Sequence, residues 1–253
     1  MKVVILAGGY GTRLSEYTDR IPKPLVEIGQ IPIITHIMNW YAKFGHTEFI
    51  LALGYKGVVV KEYFLRHLQT LNDIEMDLST GDIRHLGNDA PNWTIKLIDT
   101  GLDTMTGGRI KRLKEHINGE RFFLTYGDGV ADVNLDELVA AHNENKTLVT
   151  LTTVRPQARF GELILDGKNV VSFKEKPQTS TGWINGGYFV MEPEFIDLIK
   201  DDDTVLEKEP LEYAANAGQL SAFKHHGFWQ CMDTKRDRDY LEEIWKDPKC
   251  PWR

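Results

Sequence analysis

Cysteine is scarce in this chain. Only Cys231 and Cys250 occur among 253 residues, which argues against a disulfide scaffold and fits a reducing cytoplasm. No histidine or cysteine cluster surrounds either thiol in sequence, so a thiolate metal centre is not expected. Long apolar runs are missing too, and nothing approaches the roughly 20 residues that span a bilayer. The N-terminal apolar stretch is too short for a secretory signal, and Arg13 follows it closely. No membrane partner is expected. Positive charge is not in surplus: the net charge is −7, which argues against general nucleic-acid binding. An anionic substrate stays open, because a few local cations can outweigh the global sign. Internal repeats and low-complexity tracts do not occur. The remaining composition, 42% hydrophobic and 26% charged, is that of a globular protein. Its length suits one large α/β domain or a core with a small appendage.

The most informative stretch is the first. Val3 to Leu6 is a short, β-branched apolar run, the pattern of a strand buried on both faces of a parallel sheet. Ala7-Gly8-Gly9-Tyr10-Gly11 follows directly. Small residues there let backbone N–H groups approach an anion and allow positive φ. Thr12 and Arg13 come next, and Lys23 stands between Pro22 and Pro24. A strand, a glycine loop and two fixed cations make a polyphosphate site. A P-loop would need Gly-Lys-Ser/Thr, where this chain has Gly11-Thr12-Arg13. A dinucleotide fingerprint would need a third glycine where Leu14 stands.

Ile31 to Gly45 and Tyr55 to Leu71 carry helical spacing, with Glu48 to Leu53 as a buried strand between them. Strand, helix, strand, helix implies a parallel sheet with right-handed crossovers, and ligands in such sheets bind beyond the C-terminal strand ends. Residues 72–93 are polar and read as an insertion. Thr94 to Asp99 alternates as a strand, Gly101 to Gly108 reads as a loop, and Arg109 to Ile117 as a helix. Phe122 to Tyr126 then runs into Gly127-Asp128-Gly129. An acid flanked by glycines at a strand's C-terminal end suits a hard cation such as Mg²⁺, which takes one or two carboxylates plus phosphate and water; Asp128 is the expected ligand. Asp132 reads as a cap for a helix over 135–143. Strands follow at 148–154, 183–190 and 220–223, a hairpin at 162–174, and helices at 195–200, 209–217 and 236–246.

The run Leu6-Ala7-Gly8-Gly9-Tyr10-Gly11-Thr12-Arg13-Leu14, with Pro22-Lys23-Pro24-Leu25-Val26-Glu27-Ile28, resembles the signature of the sugar-1-phosphate nucleotidyltransferases. The resemblance covers nearly the whole chain. Glu16, in place of the family's usual proline, looks like the cytidylyl-transferring branch that acts on glucose 1-phosphate. The implied fold is α/β, a Rossmann-like, mostly parallel mixed sheet flanked by helices, of the nucleotide-diphospho-sugar transferase type. Residues from about 150 onward would form the sugar-phosphate half. The implied reaction joins CTP and glucose 1-phosphate, giving CDP-glucose and pyrophosphate, with dTTP or UTP as alternative nucleotides. A non-catalytic sugar-nucleotide sensor is the rival of another class.

The resemblance also implies roles. Arg13 and Lys23 would act on the nucleotide phosphates. Leu6 to Thr12, Thr104, Thr106, Gly107, Gly108, Arg109 and Gly127 would complete the nucleotide site. Glu175, Lys176, Asn185 and Gly186 would meet the sugar phosphate. Asp233 would be the second Mg²⁺ ligand beside Asp128. Lastly, it implies a homo-oligomer, such as a hexamer, and a place in 3,6-dideoxyhexose supply for surface polysaccharide (O-antigen, lipopolysaccharide).

Overall fold

A computed structural model describes residues 1–19, 21–87, 90–156, 162–166, 168–174 and 182–253. Glu175 and Lys176, the expected sugar-phosphate contacts, lie outside the described residues.

The chain opens with β1 (Lys2–Leu6), the glycine loop, and one helical turn, α1 (Ser15–Thr18). The small pair β2 (Glu27–Ile28) and β3 (Ile31–Pro32) precedes α2 (Ile33–Lys43), β4 (Glu48–Leu53) and α3 (Gly57–Thr70). The insertion is a hairpin, β5 (Asp73–Met76) and β6 (Ile83–Leu86), followed by β7 (Thr94–Asp99), α4 (Thr106–Arg112) and α5 (Lys114–Ile117). Then come β8 (Phe122–Tyr126), β9 (Gly129–Ala131), α6 (Leu135–Asn145), β10 (Val149–Val154), and the hairpin β11 (Glu162–Asp166) and β12 (Asn169–Lys174). The chain closes with β13 (Ile184–Met191), α7 (Glu209–Asn216), β14 (Leu220–Lys224), β15 (Trp229–Cys231) and α8 (Lys235–Trp245).

The main sheet has seven strands in the order β14-β10-β13-β8-β1-β4-β7. Every pairing in it is parallel except those of β13, which runs against both β8 and β10. The α/β, mostly parallel expectation holds. From β1 the chain builds outward to β4 and β7, then returns to place β8 on the other side of β1. The β1–β8 boundary is therefore the topological switch point, where a crevice opens beyond the strand ends.

Successive residues of the central strands point to opposite faces, and both faces are buried. Val3, Ile5, Phe49, Leu51 and Phe123 pack with Ile34, Ile37 and Tyr41 of α2 and Leu241 of α8. Val4, Leu6, Ile50, Phe122 and Leu124 pack with Ile110 of α4, Ile117 of α5 and Phe195. That two-sided burial is why these strands read as unbroken apolar runs rather than alternating ones.

Three local expectations differ from what is found. The helix expected from Arg109 begins at Thr106 and breaks at Leu113. Gly107 and Gly108 belong to its first turn because the 202–204 backbone lies against them: a Cβ would come within 2.7 Å of Thr204 O and 2.4 Å of Asp202 O respectively. The cap of α6 is Asn134, whose side chain accepts from the Asp136 and Glu137 amides, whereas Asp132 pairs with His225 at 2.9 Å. The 195–200 helix is a 3-10 turn over Pro193–Leu198.

Candidate active site

A cleft of about 520 Å³ lies beyond the C-terminal ends of β1 and β8. Its floor is the glycine loop. Ala7 N–H donates to Ala52 O at 3.0 Å, and Gly8 O accepts from Tyr55 N–H at 3.1 Å, so the loop continues the sheet's hydrogen bonding before it turns away. Gly9 is exposed with open space around it. Gly11 has φ of +65°, and a Cβ there would sit 2.9 Å from the Thr18 methyl, so both its conformation and its space require glycine. The exposed Thr12 then opens a 3-10 turn that carries Arg13.

Four charges converge at the mouth. Proline at 22 and 24 frames a second 3-10 turn and sets the direction of Lys23. The Lys23 ammonium donates to Asp128 Oδ2 at 2.6 Å and Asp233 Oδ1 at 2.7 Å, and Arg13 donates to Asp233 Oδ2 at 2.8 Å. The two acids are brought together by a pairing the sequence did not announce. β15 lies antiparallel to β9, and Met232 N–H donates to Asp128 O at 2.8 Å. Asp233 is not a helix cap: Thr234 caps α8 in a capping box with Asp237, which leaves the Asp233 carboxylate to the cations. Burial opposes charge on Asp233, but Lys23 outweighs it and holds the carboxyl below its ordinary range. Burial likewise opposes charge on Lys23, and Asp128 with Asp233 outweighs it, raising the ammonium.

Both carboxylates touch one ammonium, so they are close enough to share one cation, and their hard oxygens suit Mg²⁺. Among the described residues no group of three or more His, Cys, Asp or Glu is placed to hold a metal. Two protein ligands would need completion by nucleotide oxygens and water.

The opposite wall is the 101–109 segment. Arg109 is 5% exposed. It donates to the carbonyls of Leu53, Gly101, Gly8 and Leu102 and to the Thr100 hydroxyl, all between 2.7 and 3.1 Å. It thus ties the glycine loop to the facing loop at the base of the cleft. Burial lowers its pKa. Thr104 is buried in the same wall, and Thr106 donates to Glu207 at 2.8 Å. At the outer edge Tyr10 donates to Asp103 at 2.7 Å.

Gly127 closes the β1–β8 boundary, its N–H donating to Leu6 O at 2.9 Å. Beyond it a smaller hollow of about 40 Å³ is lined by Asn185, Gly186 and Trp229, among others, and shares Tyr126 and Asp128 with the larger cleft. Asn185 donates to the Tyr126 hydroxyl at 3.2 Å and accepts from Gly187 N–H at 2.8 Å, while Gly186 O accepts from the Trp229 indole at 2.7 Å. The other described expected residues therefore gather around one connected region, whereas Gly107 and Gly108 line neither hollow and are buried against the 202–204 backbone. Sequence reasoning missed Asp103, Tyr126 and Glu207. Tyr126 was legible only as a strand residue, and Glu207 sits in a polar stretch without a motif.

The nucleotidyl transferase family model matches residues 2–247. Glucose-1-phosphate cytidylyltransferase of Salmonella typhi is 46% identical over 254 residues, spanning 100% of this chain and 99% of that protein. Mannose-1-phosphate guanyltransferase of Saccharomyces cerevisiae is 32% identical over 249 residues, covering 95% of this chain and 63% of its own length. In fold, a crystal structure of HddC from Yersinia pseudotuberculosis complexed with GMP-PN superposes with a TM-score of 0.71 at 23% identity, covering 97% of this chain and 99% of that one. With the switch-point cleft, the glycine loop and the four converging charges, these likenesses make the chain a member of the nucleotidyl transferase family.

Proposed function

We propose that this protein is a glucose-1-phosphate cytidylyltransferase, forming CDP-glucose and pyrophosphate from CTP and glucose 1-phosphate. The observation that carries the reading is the charge cluster of Arg13, Lys23, Asp128 and Asp233 beside the glycine loop, in a chain 46% identical to an enzyme of that name over its full length.

A phosphate oxygen of the sugar phosphate attacks the α-phosphorus of the nucleotide. A new P–O bond forms there as the bond to the β-phosphate oxygen breaks, and pyrophosphate leaves with the electron pair. The nucleophile is already an anion, so no strong base is needed. The work is to bring two anions together and steady the spreading charge. The glycine-loop amides and the Arg13 fork take the β- and γ-phosphates, since a planar guanidinium meets two oxygens at once. Lys23 exchanges its carboxylate partners for the α-phosphate. Asp128 and Asp233 would hold Mg²⁺, which supplies charge neutralisation and orientation of the nucleotide oxygens. Arg109, with all its contacts on loop backbone and Thr100, supports the nucleotide site by keeping both walls in place, next to Thr104, Thr106, Gly107 and Gly108. Asn185 and Gly186 meet sugar hydroxyls in the smaller hollow, and Glu175 and Lys176 would meet the sugar phosphate, as the family resemblance implies.

We further propose a homo-oligomer. The β5–β6 register puts Ile74, Met76 and Ile83 on one face of the hairpin, and all three are exposed in the single chain, a face that contact between copies would cover.

Pyrophosphate release with Mg²⁺ and glucose 1-phosphate, measured separately with CTP, UTP, dTTP, ATP and GTP, tests the reading. Release with CTP alone supports it. Release with another nucleotide keeps the chemistry and changes the donor. Tight nucleotide binding with no release from any of the five would favour a sensor.

A further inference from the structure

Glu207 borders neither the cleft nor the smaller hollow, yet it joins residues that do. It lies 101 positions from Thr106 and 81 from Tyr126. Each of its carboxylate oxygens accepts one hydroxyl: Oε2 from Thr106 at 2.8 Å and Oε1 from Tyr126 at 2.5 Å.

The direction of every bond in this network follows from the groups. Leu206 N–H donates to Thr106 Oγ1 at 2.9 Å, which leaves that hydroxyl's single proton for the carboxylate. An ionised carboxylate only accepts. The Tyr126 hydroxyl therefore donates to Glu207, and its oxygen accepts from Asn185 Nδ2 at 3.2 Å. Gly187 N–H donates to Asn185 Oδ1 at 2.8 Å, which demands the same amide orientation from the other side. A Cβ on Gly187 would come within 2.7 Å of the Tyr126 ring, so the two are already packed closely.

We propose that Glu207 is a positioning residue for both substrates, holding Thr106 in the nucleotide wall and, through Tyr126, the Asn185 amide that meets the sugar. This rests on the reading above, in which the 104–109 wall faces the nucleotide and Asn185 faces the sugar. One carboxylate then sets the geometry of both halves of the site. Disturbing either hydroxyl loosens one half, and disturbing the carboxylate loosens both.

The test is a set of full-length variants assayed for KM with CTP and with glucose 1-phosphate. Thr106→Val should raise KM for CTP about 3- to 10-fold, the usual consequence of one lost hydrogen bond, with the sugar KM changed less. Tyr126→Phe should do the reverse. Glu207→Ala should raise both, mainly in KM rather than kcat, and adding Tyr126→Phe to it should change the sugar KM by less than about 2-fold, because both act on one network. In Glu207→Gln the amide oxygen can accept from one hydroxyl and the amide N–H can donate to the remaining lone pair of the other, so both KM values should return toward wild type from those of Glu207→Ala. The opposite substrate preference of Thr106→Val and Tyr126→Phe is a result a loss of general stability would not give, and it carries the test if Glu207→Ala folds poorly. Unchanged constants in Glu207→Ala, a shift for one substrate only in that variant, full additivity with Tyr126→Phe, or the same substrate affected in Thr106→Val and Tyr126→Phe would overturn the proposal. Asn185→Ala separates the two readings. If it leaves the sugar KM unchanged, the placing of the sugar is wrong, whatever Glu207 does.

Discussion

Replacing Lys23 by methionine should stop turnover and also leave a measurable debt of charge. In the single chain the Lys23 side chain is 12% exposed and holds Asp128 and Asp233 at 2.6 and 2.7 Å. Methionine keeps much of the length and removes the ammonium, so two neighbouring carboxylates lose their shared cation. Breaking a buried ion pair from one side costs about 3–5 kcal/mol. Asp128 remains 30% exposed, and water there reduces the cost to roughly 2–3 kcal/mol. For a chain of this size that is a melting temperature lower by about 5–10 °C. A divalent cation can then take the place of the ammonium. Mg²⁺ should raise the melting temperature of Lys23→Met by several degrees, because a ligand at about 100 times its Kd adds roughly 2.7 kcal/mol. In the wild type Lys23 competes for the same oxygens, so the rise without nucleotide should be smaller. Thermal melts of both proteins, with and without magnesium chloride at matched ionic strength, decide it. A variant that melts with the wild type, or an equal Mg²⁺ effect in both, would refute the idea that Lys23 stands where a cation would bind.

The acid limb of stability should report Asp233. Its pKa is lower folded than unfolded, so its contribution is present above the ordinary aspartate value of 3.8 and is lost as pH falls through the depressed folded value. Lys23 is raised, so its contribution is complete below its ordinary value of 10.5 and is lost as pH climbs through the folded one. Urea unfolding across pH should show both limbs, with the acid one flattened in Asp233→Asn. Arg109→Lys should destabilise by about 2–4 kcal/mol and weaken nucleotide binding, since an ammonium cannot reach the four carbonyls and the hydroxyl that the guanidinium holds; denaturation and CTP titration check this. The Cys231 thiol, pushed up to about 12 by burial and the Asp233 and Asp128 charges, should react with iodoacetamide at neutral pH far more slowly than a free cysteine.

The central strands were legible because burial on both faces leaves an unbroken apolar run, and β1, β4 and β8 lie within a residue or so of where the pattern puts them. The hairpin partner of β5 and the 129–131 strand were not. Each is only three or four residues long, and its existence depends on a partner rather than on its own pattern. The start of α4 was displaced for a similar reason. Two glycines read as loop, yet there they are what allows the 202–204 backbone to touch the helix.

The glycine loop, the Lys23 between two prolines and the Gly-Asp-Gly turn are local statements. Each is made within a few residues by φ preferences, the absence of a Cβ and the placing of one charge. Read from the sequence alone, they already point to a polyphosphate site on a parallel sheet. What joins them is not local. Lys23 meets Asp233 across 210 positions because β15 pairs with β9. Arg109 closes the cleft floor because the sheet order β1-β4-β7 sets the loops after β1 and β7 on either side of the end of β4. Glu207 becomes part of the site only through hydroxyls that approach it from two other elements. Hydrogen bonds and ion pairs of that kind have no period and no motif. They exist only once the sheet has fixed the distance between segments, so the chemistry of each group was written in the chain and its partner was chosen by the fold.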